Sequence, residues 1–147
     1  MTYLVTGNRG FVGSNLMSYL ASRGYDAIGF DMLNDYPTTE VLRDFIEKND
    51  ITRVYHLGAR AFIPDCYGMQ MGAIVNSNIV FTANLLMACE SAKVEKLVYM
   101  STSEVYGNQP VLPLDENSPV NPVSTYAATK FAAENLARTF RDGFNVS

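Results

Sequence analysis

Tyr126 and Lys130 stand four residues apart in the stretch Tyr-Ala-Ala-Thr-Lys. On a helix that spacing puts both on one face. An ammonium beside a phenol favours the phenolate and lowers the phenol's pKa from its ordinary value of about 10. Such a tyrosine accepts protons near neutral pH. Thr102, inside the hydroxyl run Ser101-Thr102-Ser103, is a second group able to hold an alcohol. The three side chains suit hydride transfer at a secondary alcohol: the tyrosinate removes the hydroxyl proton while hydride leaves carbon for a nicotinamide. Unaided, the pair is ordinary, since tyrosine and lysine at this spacing usually only pack and snorkel. Its weight comes from the chain around it.

A glycine loop lies near the N-terminus. Thr2 to Thr6 read as an apolar strand, Gly7-Asn8-Arg9-Gly10-Phe11-Val12-Gly13 follow, and a helical pattern continues from Ser14. Gly7 allows a tight turn, Gly10 lets backbone approach a pyrophosphate, and Gly13 lets the helix pack on the sheet. The helix's first N–H groups and its dipole then face the phosphates. Loose glycine patterns are often spurious. Here a second strand, Tyr25 to Phe30, runs into Asp31. A carboxylate about 20 residues past such a loop is the expected partner of an adenosine ribose. Loop and carboxylate together predict a dinucleotide site.

The elements that carry these groups alternate. A helix is expected over 10–23, with Phe11, Leu16 and Leu20 toward the sheet and Gly24 ending it. After a turn at 34–37, Thr38 or Thr39 caps a helix to Lys48 whose apolar face is Val41, Leu42, Phe45 and Ile46. Arg53 to Leu57 make a third strand, left by the small residues Gly58 and Ala59, against which a flat ligand can lie. His56, the only histidine, sits inside that strand and is read as structural. The stretch 61–71 is irregular. A long helix over 72–92 packs through Ile74, Ile79, Leu85, Leu86 and Ala88, with Met69, Met71 and Met87 as core or loop filler. A fourth strand over 95–100 reads as an inner parallel strand. Four prolines mark an ordered loop over the site at 110–122. A last helix over 124–141 ends at Gly143, and Phe144 to Val146 resemble a further strand. Four strand–helix alternations give an α/β fold, a doubly wound parallel sheet with helices on both faces.

The 147 residues are 48% hydrophobic and 18% charged, as one globular domain requires. A net charge of −4 without a basic run argues against a nucleic-acid partner. Cys66 and Cys89 match no metal or redox spacing, so no metal site is expected and both read as free thiols. Met1 leads straight into a strand, which leaves no room for a signal peptide. No apolar run looks long enough for a membrane. The expected location is cytoplasmic.

Taken together, the motifs resemble the extended short-chain dehydrogenase/reductases that act on nucleotide sugars, the NAD-dependent epimerase/dehydratase family. The residues carrying the resemblance are Gly7-x-x-Gly10-Phe11-x-Gly13, His56-Leu57-Gly58-Ala59, Asn78-Ile79 through Asn84-Leu85-Leu86, Ser101-Thr102-Ser103-Glu104-Val105-Tyr106-Gly107, and Tyr126 with Lys130. They span nearly the whole chain in the family's order. The resemblance implies a Rossmann-like cofactor domain over 1–147. Thr102 takes the serine/threonine role, Tyr126 is the acid/base, and Lys130 holds the nicotinamide ribose. Glu104 assists proton transfer in some relatives. Cofactor contacts are implied for Gly7, Arg9, Gly10, Phe11, Val12, Gly13, Asp31, Leu57, Gly58, Ala59, Asn78, Ser101, Tyr126 and Lys130. The substrate would be a nucleotide sugar, oxidised transiently at a hydroxyl. Epimerase, dehydratase, decarboxylase and reductase outcomes all remain open. The short connection after Asp31 and Phe81 in place of a glycine resemble the GDP-fucose synthase branch, which favours NADPH. Arg9 would suit a 2′-phosphate and Asp31 would repel it, so NAD is preferred with NADP as the alternative. Family proteins add a smaller sugar-binding domain that this chain lacks, so a fragment or a partner-dependent module is the alternative to a working enzyme. Self-association is expected, through an exposed apolar sheet edge or through the two long helices.

Overall fold

In the computed structural model the described residues are 1–31, 36–61 and 71–144, the last three in backbone only. Half of the expected turn at 34–37 lies outside them, as do Cys66, Met69, most of 61–71 and residues 145–147. Four strands form one parallel sheet: β1 Thr2–Thr6, β2 Asp26–Phe30, β3 Ile51–His56 and β4 Lys96–Tyr99, in the order β2-β1-β3-β4. The chain winds outward from β1 to β2, then crosses back to β3 and β4. The reversal puts a crevice beyond the carboxyl ends of β1 and β3, where open α/β sheets bind ligands.

Successive residues of β1 face opposite ways, and both faces are covered. Leu4 joins Leu42, Ile46, Val54, Phe81 and Leu85 on one side. Val5 and Tyr3 join Leu20 on the other. Helix α1 (Phe11–Ser22) supplies Leu20, and α2 (Thr39–Lys48) supplies Leu42 and Ile46. Each such side chain fully buried stabilises by about 1.5–3 kcal/mol. Two sequence expectations fail at the helix margins. Phe11 is 87% exposed, because the first turn of α1 overhangs the strand ends and has no sheet beneath it. Val41 is 55% exposed, on the outer side of α2.

The long helix is not uniform. It begins as α3 (Met71–Val75), passes through a π-helical segment Asn76–Val80, and continues as α4 (Phe81–Ser91). By length and composition, 71–91 is apolar enough to cross a membrane, contrary to the sequence expectation. Its apolar residues have another use: Ile74, Phe81, Leu85, Leu86 and Ala88 are buried in the fold. Met71 and Met87 are exposed rather than filling the core.

Strand β4 lies at the edge of the described sheet, not inside it. Val98 and Met100 are 38% and 46% exposed. An apolar run describes an inner strand and an uncovered edge strand equally well, so the sequence did not separate them. After β4 come a 3-10 turn, Ser103–Tyr106, and an irregular stretch. Asn121 N–H bonds the Val105 carbonyl (2.9 Å) and ties that stretch back to the turn. Helix α5 (Thr125–Phe144) runs through Gly143 to Phe144, where the sequence suggested a stop and a new strand.

Candidate cofactor crevice and catalytic helix

The glycine loop follows β1 without a spacer. Gly7 sits at φ +69°, and a side chain there would meet the Gly58 backbone at 2.8 Å. A Cβ on Gly13 would lie 2.1 Å from the Gly7 carbonyl oxygen. Three backbone segments therefore meet at van der Waals distance, and only glycine permits it. Gly10 caps α1, whose first bond runs from Ser14 N–H to Gly10 O (2.9 Å). The N–H groups of Phe11, Val12 and Gly13 precede that bond and are the ones a helix offers to an anion. Arg9, Phe11 and Val12 are exposed at this end.

Beside the loop is a crevice of about 390 Å³ lined by Gly7, Asp31, Gly58 and Ala59, four of the residues expected from sequence. The Asp31 carboxylate accepts the Arg9 backbone N–H at 3.3 Å, which fixes it at the rim. Sequence reasoning missed Tyr36, Arg60, Asn76 and Ser77 in the same wall. Arg60 was one residue beyond the small pair that was noticed. Tyr36, whose hydroxyl donates to the Ala73 carbonyl (2.9 Å), had no local signal. The crevice fits a dinucleotide: a glycine floor at Gly7 and Gly58 and a carboxylate at the rim, with the start of α1 following Gly7 through the loop. Leu57 continues the β3 ladder to Thr6 O (3.3 Å) and packs on the α1 side.

Asn78 is 1% exposed and turned inward. Its Oδ1 accepts Arg60 N–H (2.9 Å), and its Nδ2 donates to Arg60 O (3.2 Å) and Thr129 Oγ1 (3.1 Å). Both ends of that amide have a scaffold use, so what Asn78 fixes is the Arg60 backbone and α5. His56 is buried too. Thr82 Oγ1 donates its one proton to Asn78 O (2.8 Å), so it must accept from His56 Nε2 (2.9 Å). The neutral ring then accepts the Thr6 hydroxyl at Nδ1 (2.7 Å), and Thr6 Oγ1 accepts Gly58 N–H (3.1 Å). Burial, and the charge of Lys130, push the His56 pKa down to about 3. It stays neutral at physiological pH, in keeping with a structural histidine.

The second group of residues lies where α5 meets the end of β4. Ser124 caps α5: its Oγ accepts Ala127 N–H (3.0 Å) and donates to the Glu104 carboxylate (3.0 Å). Glu104 is thereby fixed at a helix N-terminus, where negative charge is favoured. Thr102 Oγ1 accepts Glu104 N–H (3.3 Å) and caps the 3-10 turn. Tyr126 follows in the first turn of α5 and is half-buried. Lys130, one turn on, is 3% exposed. Its Nζ lies 4.2 Å from the centre of the Tyr99 ring, a cation–π arrangement. Burial pushes its pKa down to about 8, against the pull of Glu134. Burial, with the charges of Tyr126 and Glu134, holds the Tyr99 phenol well above its ordinary value. Ser101 Oγ donates to Glu134 Oε2 (2.8 Å). A larger cavity of about 670 Å³ lies on the β4 side, lined by Thr102, Ser101, Tyr99, Glu134 and Val120 among others. It is mostly apolar and open along the edge strand, so the smaller glycine crevice is the better cofactor site.

Comparison with known proteins agrees with this geometry. The model of the NAD dependent epimerase/dehydratase family matches residues 3–147. UDP-glucuronate 4-epimerase 2 of Arabidopsis thaliana is 35% identical over the whole chain and 40% of its own length. The dTDP-D-glucose 4,6-dehydratase of Dictyostelium discoideum is 28% identical, over 97% of this chain and 41% of its own. Among solved structures, UDP-glucuronic acid 4-epimerase of Bacillus cereus, in complex with UDP-glucuronic acid and NAD, superposes with a TM-score of 0.88 at 28% identity. That match covers 99% of this chain and 54% of the other. The Thermus thermophilus UDP-glucose 4-epimerase, in complex with NAD, gives 0.90 at 28% identity, covering 99% and 52%. The chain thus spans about 40% of the length of these curated relatives and about half that of the solved ones. With glycine crevice, tyrosine–lysine helix and parallel sheet all in place, the chain belongs to the NAD-dependent epimerase/dehydratase family.

Proposed function

We propose that this chain is the cofactor-binding and catalytic part of an enzyme that oxidises a nucleotide-sugar hydroxyl transiently, as epimerases and dehydratases do. The observation that carries the reading is Lys130, an ionisable group almost wholly buried one helical turn from Tyr126. Burying an ammonium works against folding, and such groups concentrate at functional sites. Gly7, Gly13 and Gly58 would hold the dinucleotide backbone and Asp31 its adenosine ribose. Bound there, NAD supplies a hydride acceptor. Tyr126 takes the hydroxyl proton at its phenolic oxygen, and the Lys130 charge favours that oxygen as phenolate. Thr102 orients the hydroxyl. Glu104, held by Ser124, is a carboxylate available for a later proton step. UDP-sugars are the first substrates to try, since those relatives are named for them or solved with them.

The test is calorimetric titration with NAD and NADP, followed by UDP-glucuronic acid or UDP-glucose while NADH fluorescence is recorded. Binding of NAD above NADP, with transient NADH on adding sugar nucleotide, supports the reading. No NAD binding by folded protein sinks it. A second reading, a nucleotide-binding module that acts only with a partner, is favoured by the open β4 edge of the described sheet. NAD binding without any NADH would select it.

A further inference from the structure

Helix α5 carries a third group in register with the catalytic pair. Tyr126, Lys130, Glu134 and Arg138 follow at intervals of four, so they descend one face of the helix. Glu134 is tied down at both oxygens. Its Oε2 accepts the Ser101 hydroxyl (2.8 Å), and its Oε1 pairs with the Arg138 guanidinium. Ser101 is the residue before Thr102, so this bond joins the helix bearing Tyr126 and Lys130 to the strand end bearing Thr102. Glu134 is held in place on the inner side: its side chain is 22% exposed, against 56% for Arg138.

Tyr99 completes the surroundings of Lys130. Its ring lies against the ammonium, and its hydroxyl donates to the Lys130 carbonyl (3.3 Å). The charged and titratable groups facing Lys130 are His56 from β3, Tyr99 from β4, and Tyr126 and Glu134 from α5. His56 is locked neutral by its bonds to Thr6 and Thr82, and Tyr99 stays a neutral phenol. Glu134 is the carboxylate among these four groups, and its charge acts on Lys130.

We infer that Glu134 is a positioning residue for the catalytic pair: anchored by Ser101, it fixes α5 against the end of β4 and supplies the charge that keeps Lys130 an ammonium. The inference rests on the reading of Tyr126 and Lys130 as catalytic, and gives Ser101 a scaffold use in place of a direct cofactor contact. Without Glu134, the buried ammonium would lose a carboxylate whose charge offsets its lost hydration. Neutral lysine would favour phenolate less, and it would hold a ribose hydroxyl less well.

The test separates charge from anchoring. Lys130 is followed through its side-chain carbon and nitrogen resonances by NMR across a pH titration, on the full chain without ligand. Glu134→Gln retains an amide oxygen for Ser101 and removes the charge. Its Lys130 midpoint should fall by about one pH unit, and NAD affinity at pH 7.5 should fall about threefold. Glu134→Asp keeps the charge and should return the midpoint most of the way. Ser101→Ala keeps the charge near Lys130, leaves the midpoint within a few tenths of wild type, and lowers the melting temperature. A Lys130 midpoint unchanged in Glu134→Gln overturns the inference, whatever happens to stability. Absence of NAD binding by the wild type overturns the proposed function instead, and the ligand-free lysine titration still decides the role of Glu134.

Discussion

The two sides of the sheet's carboxyl end are built on different principles. At the β1/β3 crevice, backbone meets backbone. Gly7 meets both Gly13 and Gly58, and the hydroxyls of Thr6 and Thr82 with His56 form a hydrogen-bond chain that ends on backbone groups of Gly58 and Asn78. At the β4 side, Met100 borders an open cavity of about 670 Å³, and Val98 is exposed on the same strand. The first region is self-sufficient and leaves little room to vary. The second presents the kind of surface that another strand or another molecule would cover.

Substitution at Gly13 should separate the regions most sharply. Gly13→Val drives its Cβ into the Gly7 carbonyl. We expect a loss of about 3 kcal/mol or more in stability and, at that scale, of about 100-fold in NAD affinity, read by melting and calorimetry. Gly72→Ala is the control, since nothing lies within 4 Å of that Cβ. It should stabilise by up to about 1 kcal/mol. Equal effects at the two glycines would dissolve the contrast.

Lys130 tests the cost of function at the boundary between the regions. Its pKa, ordinarily 10.5, is lowered to about 8 in the fold. Between those values the unfolded chain binds the extra proton, so stability rises with pH from 8 to 10.5 and the penalty is fully present below 8. Lys130→Met should therefore stabilise by about 1–3 kcal/mol at pH 7, lose this alkaline rise, and weaken NAD binding. A mutant no more stable than wild type at pH 7 would mean the ammonium is better accommodated than its burial implies.

Smaller effects sharpen the outline. Ser124→Ala removes the α5 cap and the anchor of Glu104, for about 1 kcal/mol, seen as a lowered melting temperature. Val98→Lys puts a charge on the open edge. Stability should stay within about 0.5 kcal/mol and NAD affinity should hold, while any self-association seen by sedimentation is lost. If Val98→Lys weakens NAD binding instead, the two regions are coupled.

The same contrast explains what the sequence made legible. The glycine loop, Asp31 and the Tyr126–Lys130 pair are local: turn chemistry and helical spacing place them without knowledge of the rest. The four strands followed from alternation, and their boundaries shifted by a residue or two. The supporting contacts were not legible. Asn78 to Arg60, Ser101 to Glu134 and Tyr99 to Lys130 join residues brought together only by the packing of α5 and the π segment on the sheet. Phe11 and Val41 fitted a helical period, yet the first turn of α1 and the outer side of α2 leave them exposed. The composition of β4 records no neighbour, so its place at the edge of the described sheet was not legible.

The π segment Asn76–Val80 has a consequence for how this helix tolerates change. A π turn is an α-helix holding one surplus residue. The segment absorbs a change of length: deleting one position there, such as Val80, would close the turn to regular α-helix and leave Met71–Val75 and Phe81–Ser91 in about the same relative orientation. The change would fall on the turn itself, which carries Asn78 and its bonds to Arg60 and Thr129. A one-residue deletion elsewhere in this helix has no such slack and would turn its two halves against each other by about 100°.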